Sequence, residues 1–249
     1  MRSAFSLHGK IILVTGASSG IGQQVALSCA QAGAIILASG RNTERLENAV
    51  AALPGSGHRS IPMDICDDAS IKACAGTFGK IDGVVHCAGI SLLSPLRLAT
   101  RPHIEDQLSS NVIGPMLLTQ QLLLKNLINT GSSILFISSI SAHIGVHGVS
   151  AYSASKGALE AMARSLSMEV AKKGIRVNCL APGLVKTPMF DAALSTTGGG
   201  LEETINRYPL GLGLPEDIAH AAIFFLSGAS RWVTGTTLIL DGGHTAGRQ

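Results

Sequence analysis

Ile11-Ile-Leu-Val-Thr15-Gly-Ala-Ser-Ser-Gly20-Ile-Gly22 is the stretch on which the fold of this chain turns. Its first five residues read as a short buried strand and the residues from 20 to 32 as a helix, with glycine at 16, 20 and 22 between and just inside them. Those glycines let the chain turn sharply and let backbone N–H groups close on a pyrophosphate, with the partial positive charge of the helix N-terminus behind them. No Gly-Lys-Ser/Thr ending follows, which argues against an ATP-type phosphate loop. A glycine cluster can also be a plain tight turn, but its place between a first strand and a first helix points to dinucleotide binding.

Outward from this stretch, Val/Ile/Leu-rich runs alternate with helical segments. Strands are predicted at 35–39, 60–63, 83–87, 133–138, 176–181 and 237–240, and helices at 43–52, 67–75, 103–129, 151–173 and 215–226. Continuous apolar runs are the mark of parallel strands covered on both faces. The expected fold is α/β: one domain over 1–249, a Rossmann-like doubly wound parallel sheet of about seven strands with helices on both faces. The one stretch predicted to be flexible is 187–209, which carries Gly198-Gly-Gly200 and reads as a substrate lid.

Composition narrows the function classes. With 249 residues, 46% hydrophobic and 14% charged, the chain can bury one large core without a second domain. Its mean hydropathy of +0.35 raises the question of a membrane. The long uncharged runs answer against a bilayer span, since 107–124 contains Asn111, Pro115 and three glutamines and 131–155 is serine-rich. The start of the chain lacks a signal-peptide pattern, so a soluble cytoplasmic protein is expected. Five cysteines (29, 66, 74, 87 and 179) without a C-x-x-C pair suggest reduced thiols, and a net charge of +3 without a dense basic run leaves no nucleic-acid footprint.

Downstream, Tyr152-Ser-Ala-Ser-Lys156 places a phenol and an ammonium one helical turn apart, with Ser139 thirteen residues upstream. A phenol with a pKa of about 10 needs a nearby cation to become an effective acid or base at neutral pH, and Lys156 is placed to be that cation. Tyr and Lys at this spacing are also common on ordinary helices. After the second strand the chain reads Ala38-Ser-Gly-Arg41-Asn42, with no carboxylate to hold two ribose hydroxyls. Arg41 is positioned to meet a 2′-phosphate, which favours NADP(H) over NAD(H); the plain alternative is a solvated arginine before a helix. Pro115 has no N–H, so the carbonyl of Asn111 loses its usual helical partner, a kink is expected, and that carbonyl becomes free to hold a water against Lys156.

The glycine loop, Asn111, Ser139, Tyr152 and Lys156 together resemble the classical short-chain dehydrogenase/reductase family over about residues 9–243, and within it the 3-oxoacyl-carrier-protein reductase group. The resemblance implies a catalytic set in which Tyr152 exchanges a proton with the substrate oxygen, Ser139 hydrogen-bonds that oxygen, and Lys156 tunes Tyr152 and binds the nicotinamide ribose. Asn111 completes a proton relay. Ser138 and Ser141 are neighbouring rivals, and the thirteen-residue spacing selects Ser139. The implied cofactor contacts are Gly16, Ser18, Ser19, Gly20, Ile21 and Gly22, then Arg41, Asp64, Ile65, Ala88 and Gly89, then Tyr152, Lys156, Pro182, Gly183, Val185 and Thr187. Asp64 is equally suited to cap the helix beginning near Asp67. Where the family often has Asn-Asn-Ala-Gly, this chain has His86-Cys-Ala-Gly89, so either His86 takes over as a hydrogen-bond partner or the sheet is held differently.

His143, His147, Met189 and Phe190, with Leu92 and Leu93, are expected to border a substrate pocket with an apolar character; the two histidines lack a third acidic ligand, and no metal is expected. Ala154, Ala158, Ala161 and Ser165 suit close helix packing against a second subunit, and the family commonly forms tetramers through these helices, so a homo-oligomer (tetramer or dimer) is expected. The implied activity is an NADPH-dependent carbonyl reductase working on a ketone, such as a 3-oxoacyl thioester, or on the corresponding alcohol. The alternatives are an NAD-dependent alcohol or sugar dehydrogenase and a non-catalytic dinucleotide sensor, which has no need to keep Ser139, Tyr152 and Lys156 together. An extended nucleotide-sugar epimerase is disfavoured, because little chain remains after Lys156 for a large substrate domain.

Overall fold

The computed structural model describes residues 3–197, 203 and 205–247. Seven strands, β1 (Ile11–Thr15), β2 (Ile35–Gly40), β3 (Arg59–Pro62), β4 (Ile81–His86), β5 (Ile128–Ile137), β6 (Arg176–Pro182) and β7 (Thr237–Leu240), form one sheet in the order β3-β2-β1-β4-β5-β6-β7. Every pairing is parallel. The order reverses between β1 and β4, and a crevice at the carboxyl ends of strands on either side of such a reversal is where this architecture takes ligands.

Helices cover both faces. Against one lie α1 (Gly20–Gln31), α2 (Thr43–Ala51) and α8 (Pro215–Leu226), whose Val25, Leu46, Ile218 and Phe225 pack on Ile12, Val14, Ile36 and Leu180. Against the other lie α3 (Asp68–Cys74), α5 (Gly114–Leu124) and α6 (Ser150–Val170), which bring Ile71, Leu118, Leu122 and Leu159 onto Leu13, Val84, Ile134 and Phe136. Alternate residues of one strand thus serve two cores, which is why the strands read as unbroken apolar runs. Fully burying a side chain such as Phe136 or Leu118 contributes about 1.5–3 kcal/mol.

Three expectations need correction. The single helix predicted over 103–129 is two: α4 (Arg101–Leu108) and α5 are joined by a π turn, Ser109–Ile113, where the Gly114 N–H donates to the Ser109 carbonyl five residues back. Pro115 cannot donate to Asn111, and the chain absorbs that mismatch by widening one turn. Next, β5 begins at Ile128 rather than 133, because Asn129, Thr130 and Gly131 break the apolar run while the backbone continues extended. Finally, the segment expected to be a flexible lid opens with a helix, α7 (Pro188–Thr197), started by Thr187, whose Oγ1 accepts from the Phe190 N–H. The glycines at 198–200 lie outside the described residues.

Candidate active site

The first helix is prepared for an anion. α2 and α3 are each capped by a side chain, Asn42 accepting from the Arg45 N–H and Asp67 from those of Ala69 and Ser70. Ser19, at the start of α1, makes no such bond, and the first turn of α1 carries no acidic residue. Its N–H groups are therefore left to an external acceptor. The loop in front is packed without slack: a Cβ at Gly22 would lie 2.3 Å from the Gly16 carbonyl oxygen, and one at Gly16 (φ +66°) 2.9 Å from the Ala88 N.

A cleft of about 750 Å³ runs from this loop across the ends of β2 and β3. Gly16, Ser18, Ser19, Arg41, Ile65, Ala88 and Gly89 line it, as expected cofactor contacts should. Sequence reasoning missed Ser39, Asn42, Arg45, Cys66 and Ser110, which also line it. Arg45 is one turn beyond Arg41, and the Ser39 hydroxyl is buried without a hydrogen-bond partner. Two guanidiniums, an orphaned hydroxyl and an uncapped helix fit a dinucleotide bearing phosphates. Asp64 gives Oδ1 to the Cys66 N–H and does not cap α3, a task that falls to Asp67.

Gly20, Ile21 and Gly22 belong to the first turn of α1, behind the loop. Thr187 packs near Gly20, and its Oγ1 donates to the Val185 carbonyl. Pro182 ends β6 and Gly183 follows, fitted against Tyr208 and Asp241, where a Cβ would meet the Tyr208 ring at 2.7 Å. The Tyr208 hydroxyl accepts from the Leu184 N–H, so a residue the sequence did not single out fixes this loop.

At the other end of the cleft, Ser139 follows β5 and starts a short 3-10 turn, Ile140–Ala142. Its Oγ accepts from the Ser141 N–H at 3.2 Å and the Ser141 hydroxyl at 3.0 Å, which leaves its own proton to donate. Ser139 hydrogen-bonds the Tyr152 side chain. Ser138 is committed elsewhere: its hydroxyl points at Glu160 Oε1 and the Lys156 carbonyl. Ser138 is thereby removed as a rival, and Ser141 is in turn a support for Ser139.

Burial pushes the Tyr152 phenol above its usual 10, and the Ser139 bond works against that rise. The Lys156 ammonium is pulled down to about 8 by burial, partly offset by the Cys87 and Cys179 thiols. Lys156 Nζ donates to the Ile137 carbonyl at 2.8 Å and lies 5.5 Å from the Tyr152 ring centre. The expected lowering of the phenol by Lys156 is therefore not what this geometry delivers, because desolvation outweighs a cation at that range.

Asn111 sits in the π turn, fully buried. Its side chain clamps Ile90, accepting from the N–H at 2.8 Å and donating to the carbonyl at 2.9 Å, and donates to Ser155 Oγ at 3.0 Å. With the side chain so engaged, only its backbone carbonyl is left for a relay. A Cβ built on Gly89 would fall 2.9 Å from Asn111 Oδ1 and 3.5 Å from Lys156 Nζ, so these two residues converge on one glycine.

His86 substitutes as a hydrogen-bond partner. Thr119 Oγ1 donates its one proton to the Pro115 carbonyl at 2.7 Å, so the contact of 3.0 Å with His86 Nε2 has the imidazole as donor. The ring stacks on Phe136 with centres 4.7 Å apart, and burial lowers its pKa to about 3. Between 6.5, the ordinary histidine value, and about 3 the unfolded chain binds a proton that the folded one does not. Stability should therefore fall with pH across that window, by up to about 1.4 kcal/mol per pH unit from this group. His86→Asn is expected to flatten the slope of urea-unfolding free energy between pH 6.5 and 4. An unchanged slope would remove His86 as the cause.

Of the expected pocket residues, His143 turns inward to Glu160 at 3.0 Å. His147, Met189, Leu92 and Leu93 are exposed and Phe190 is half-buried. Leu92 lines the cleft.

A family profile described as enoyl-(acyl carrier protein) reductase matches residues 16–245. D-threitol dehydrogenase of Mycolicibacterium smegmatis is 34% identical over 249 residues, covering 97% of this chain and 95% of that protein. A 3-oxoacyl-[acyl-carrier-protein] reductase of Chlamydia pneumoniae is 34% identical, covering 96% and 98%. A gluconate 5-dehydrogenase from Burkholderia cenocepacia, solved in complex with NADP and tartrate, superposes with a TM-score of 0.91 at 28% identity over 98% of each chain. The glycine loop, the Ser139–Tyr152 contact and matches running almost end to end agree, and the chain belongs to the classical short-chain dehydrogenase/reductase family, NAD(P)-dependent oxidoreductases acting on CH–OH and C=O groups.

Proposed function

We propose that the protein is an NADPH-dependent carbonyl reductase that interconverts a ketone, with a 3-oxoacyl thioester the first to test, and a secondary alcohol. The observation that carries this reading is the Ser139 hydroxyl, loaded from behind by Ser141 and bonded to the Tyr152 phenol. Bound in the cleft, the nicotinamide supplies or accepts the hydride. A carbonyl oxygen placed between the two hydroxyls takes a hydrogen bond from Ser139, which holds it and stabilises the charge it gains. Tyr152, protonated at neutral pH because burial raises its pKa, gives that oxygen its proton. Lys156, buried behind the ring, favours the phenolate that remains, and the Asn111 carbonyl is the next acceptor along the relay. In the oxidative direction the same groups work in reverse.

The preference for NADP(H) is supported by Arg41 and Arg45 at the cleft and by the absence of a carboxylate at the end of β2. The relative named for D-threitol supports a second reading, an NAD-dependent alcohol or sugar dehydrogenase. The deciding experiment is a panel of ketones, 3-oxoacyl thioesters and sugars with NADPH and NADH, followed at the reduced-nicotinamide absorbance. Turnover only of sugars with NAD would overturn the carbonyl-reductase reading.

The segment 187–209 is proposed as the substrate lid, with α7 as its first part. A homo-oligomer, tetramer or dimer, is proposed from the exposed apolar side chains Met116 and Leu124 on α5 and Met168 on α6, beside the outward small residues Ala154 and Ala161. No helix among the described residues is long and apolar enough to cross a membrane. A cytoplasmic location is proposed, supported by five cysteines that are all free.

A further inference from the structure

Glu160 stands one turn beyond Lys156 on α6 with its side chain only 7% exposed. A carboxylate so deep needs donors to keep its charge. It has two, Ser138 Oγ at 2.7 Å and His143 Nε2 at 3.0 Å. Ser138 immediately precedes Ser139, and His143 immediately follows the 3-10 turn that Ser139 starts. One carboxylate thus grips both ends of the segment carrying Ser139, from the helix that carries Tyr152 and Lys156. We propose that Glu160 is a positioning residue that fixes the Ser139 hydroxyl against the Tyr152 phenol.

The two grips are unequal. The single Ser138 proton favours the shorter bond to Glu160 over the 3.2 Å contact with the Lys156 carbonyl, and without Glu160 it can turn wholly to that carbonyl. The strand end then stays tied to α6. The imidazole of His143 has no second protein partner; the His143 N–H bond to the Ile140 carbonyl closes only the local turn. Losing Glu160 therefore frees residues 140–143, among them Ser141, whose N–H and hydroxyl both aim Ser139 Oγ. Misplacing a reacting group by about 1 Å can cost about 100-fold in rate.

This proposal rests on the reading of Ser139 and Tyr152 as the pair that handles the carbonyl, and the test separates the two. Glu160→Ala is expected to lower kcat by about 10- to 100-fold on the best carbonyl of the panel, with the dinucleotide dissociation constant within about twofold of the parent. Amide exchange in a peptide covering 139–149 should quicken, while that in 11–22 stays as in the parent. Glu160→Gln should restore most of kcat, since its amide oxygen accepts from Ser138 and its N–H₂ donates to the other imidazole tautomer. A kcat for Glu160→Ala within twofold of the parent, where Tyr152→Phe is inactive, overturns this proposal alone. Full turnover by Tyr152→Phe overturns the site reading and this proposal with it. Should Glu160→Ala fail to fold, His143→Ala removes the weaker grip by itself, and an unchanged kcat there is equally fatal.

Discussion

Tyr152→Phe is expected to keep dinucleotide binding and to lower turnover by about 10²- to 10⁴-fold, the range a positioned proton donor contributes. The substitution deletes one oxygen from a half-buried ring and leaves the packing of α6 in place. The loss should appear in kcat rather than in the affinity for the cofactor, whose cleft is lined by residues of other elements. Ser139 would keep its proton and both Ser141 contacts, so residual activity measures what a held but unprotonated oxygen can achieve. Titration by quenching of the bound reduced cofactor, alongside steady-state rates, checks both halves. Near-parental rates would remove Tyr152 from the chemistry.

Arg41→Ala is expected to raise the dissociation constant for NADPH by about one to two decades and to leave that for NADH almost unchanged. A charge-assisted hydrogen bond to a phosphate is worth about 1.5–3 kcal/mol, which converts to that span. Arg41 lies just after β2, and Asn42 beside it caps α2, so the arginine can be removed without touching the cap. Arg45 lines the same cleft, and any preference for NADPH that survives Arg41→Ala should vanish in the double variant. Equal weakening toward both cofactors, measured by fluorescence titration at fixed ionic strength, would show that neither arginine meets a 2′-phosphate.

Much of this fold was legible because a parallel strand buried on both faces leaves an apolar run that no polar position interrupts. Six of the seven strands fall within two residues of where that pattern puts them. β5 does not, since Asn129, Thr130 and Gly131 lie where its chain is still largely exposed and periodicity has nothing to report. The break between α4 and α5 was half visible: Pro115 announced a disturbed helix, but whether the chain would kink or widen depends on what packs around Asn111, and that is tertiary. The cleft shows the same divide. Gly16 and Arg41 carry local signals, one of backbone and one of charge, whereas Cys66 and Ser110 reach the cleft from separate loops that only the folded sheet brings together. Glu160 had no signal, as an acidic residue on a helix is ordinarily solvated and its burial follows from Ser138 and His143 closing over it.

The π turn also sets the rotational phase of everything after it. An α-helix advances about 100° per residue, so the one extra residue held between Ser109 and Gly114 decides which flank of α5 faces the sheet. Removing any one residue from 109–113 would swing Leu118 and Leu122 out of the core and carry Thr119 away from His86. This stretch therefore behaves like a keyed coupling between two shafts: it accepts changes of side chain far more readily than a change of length.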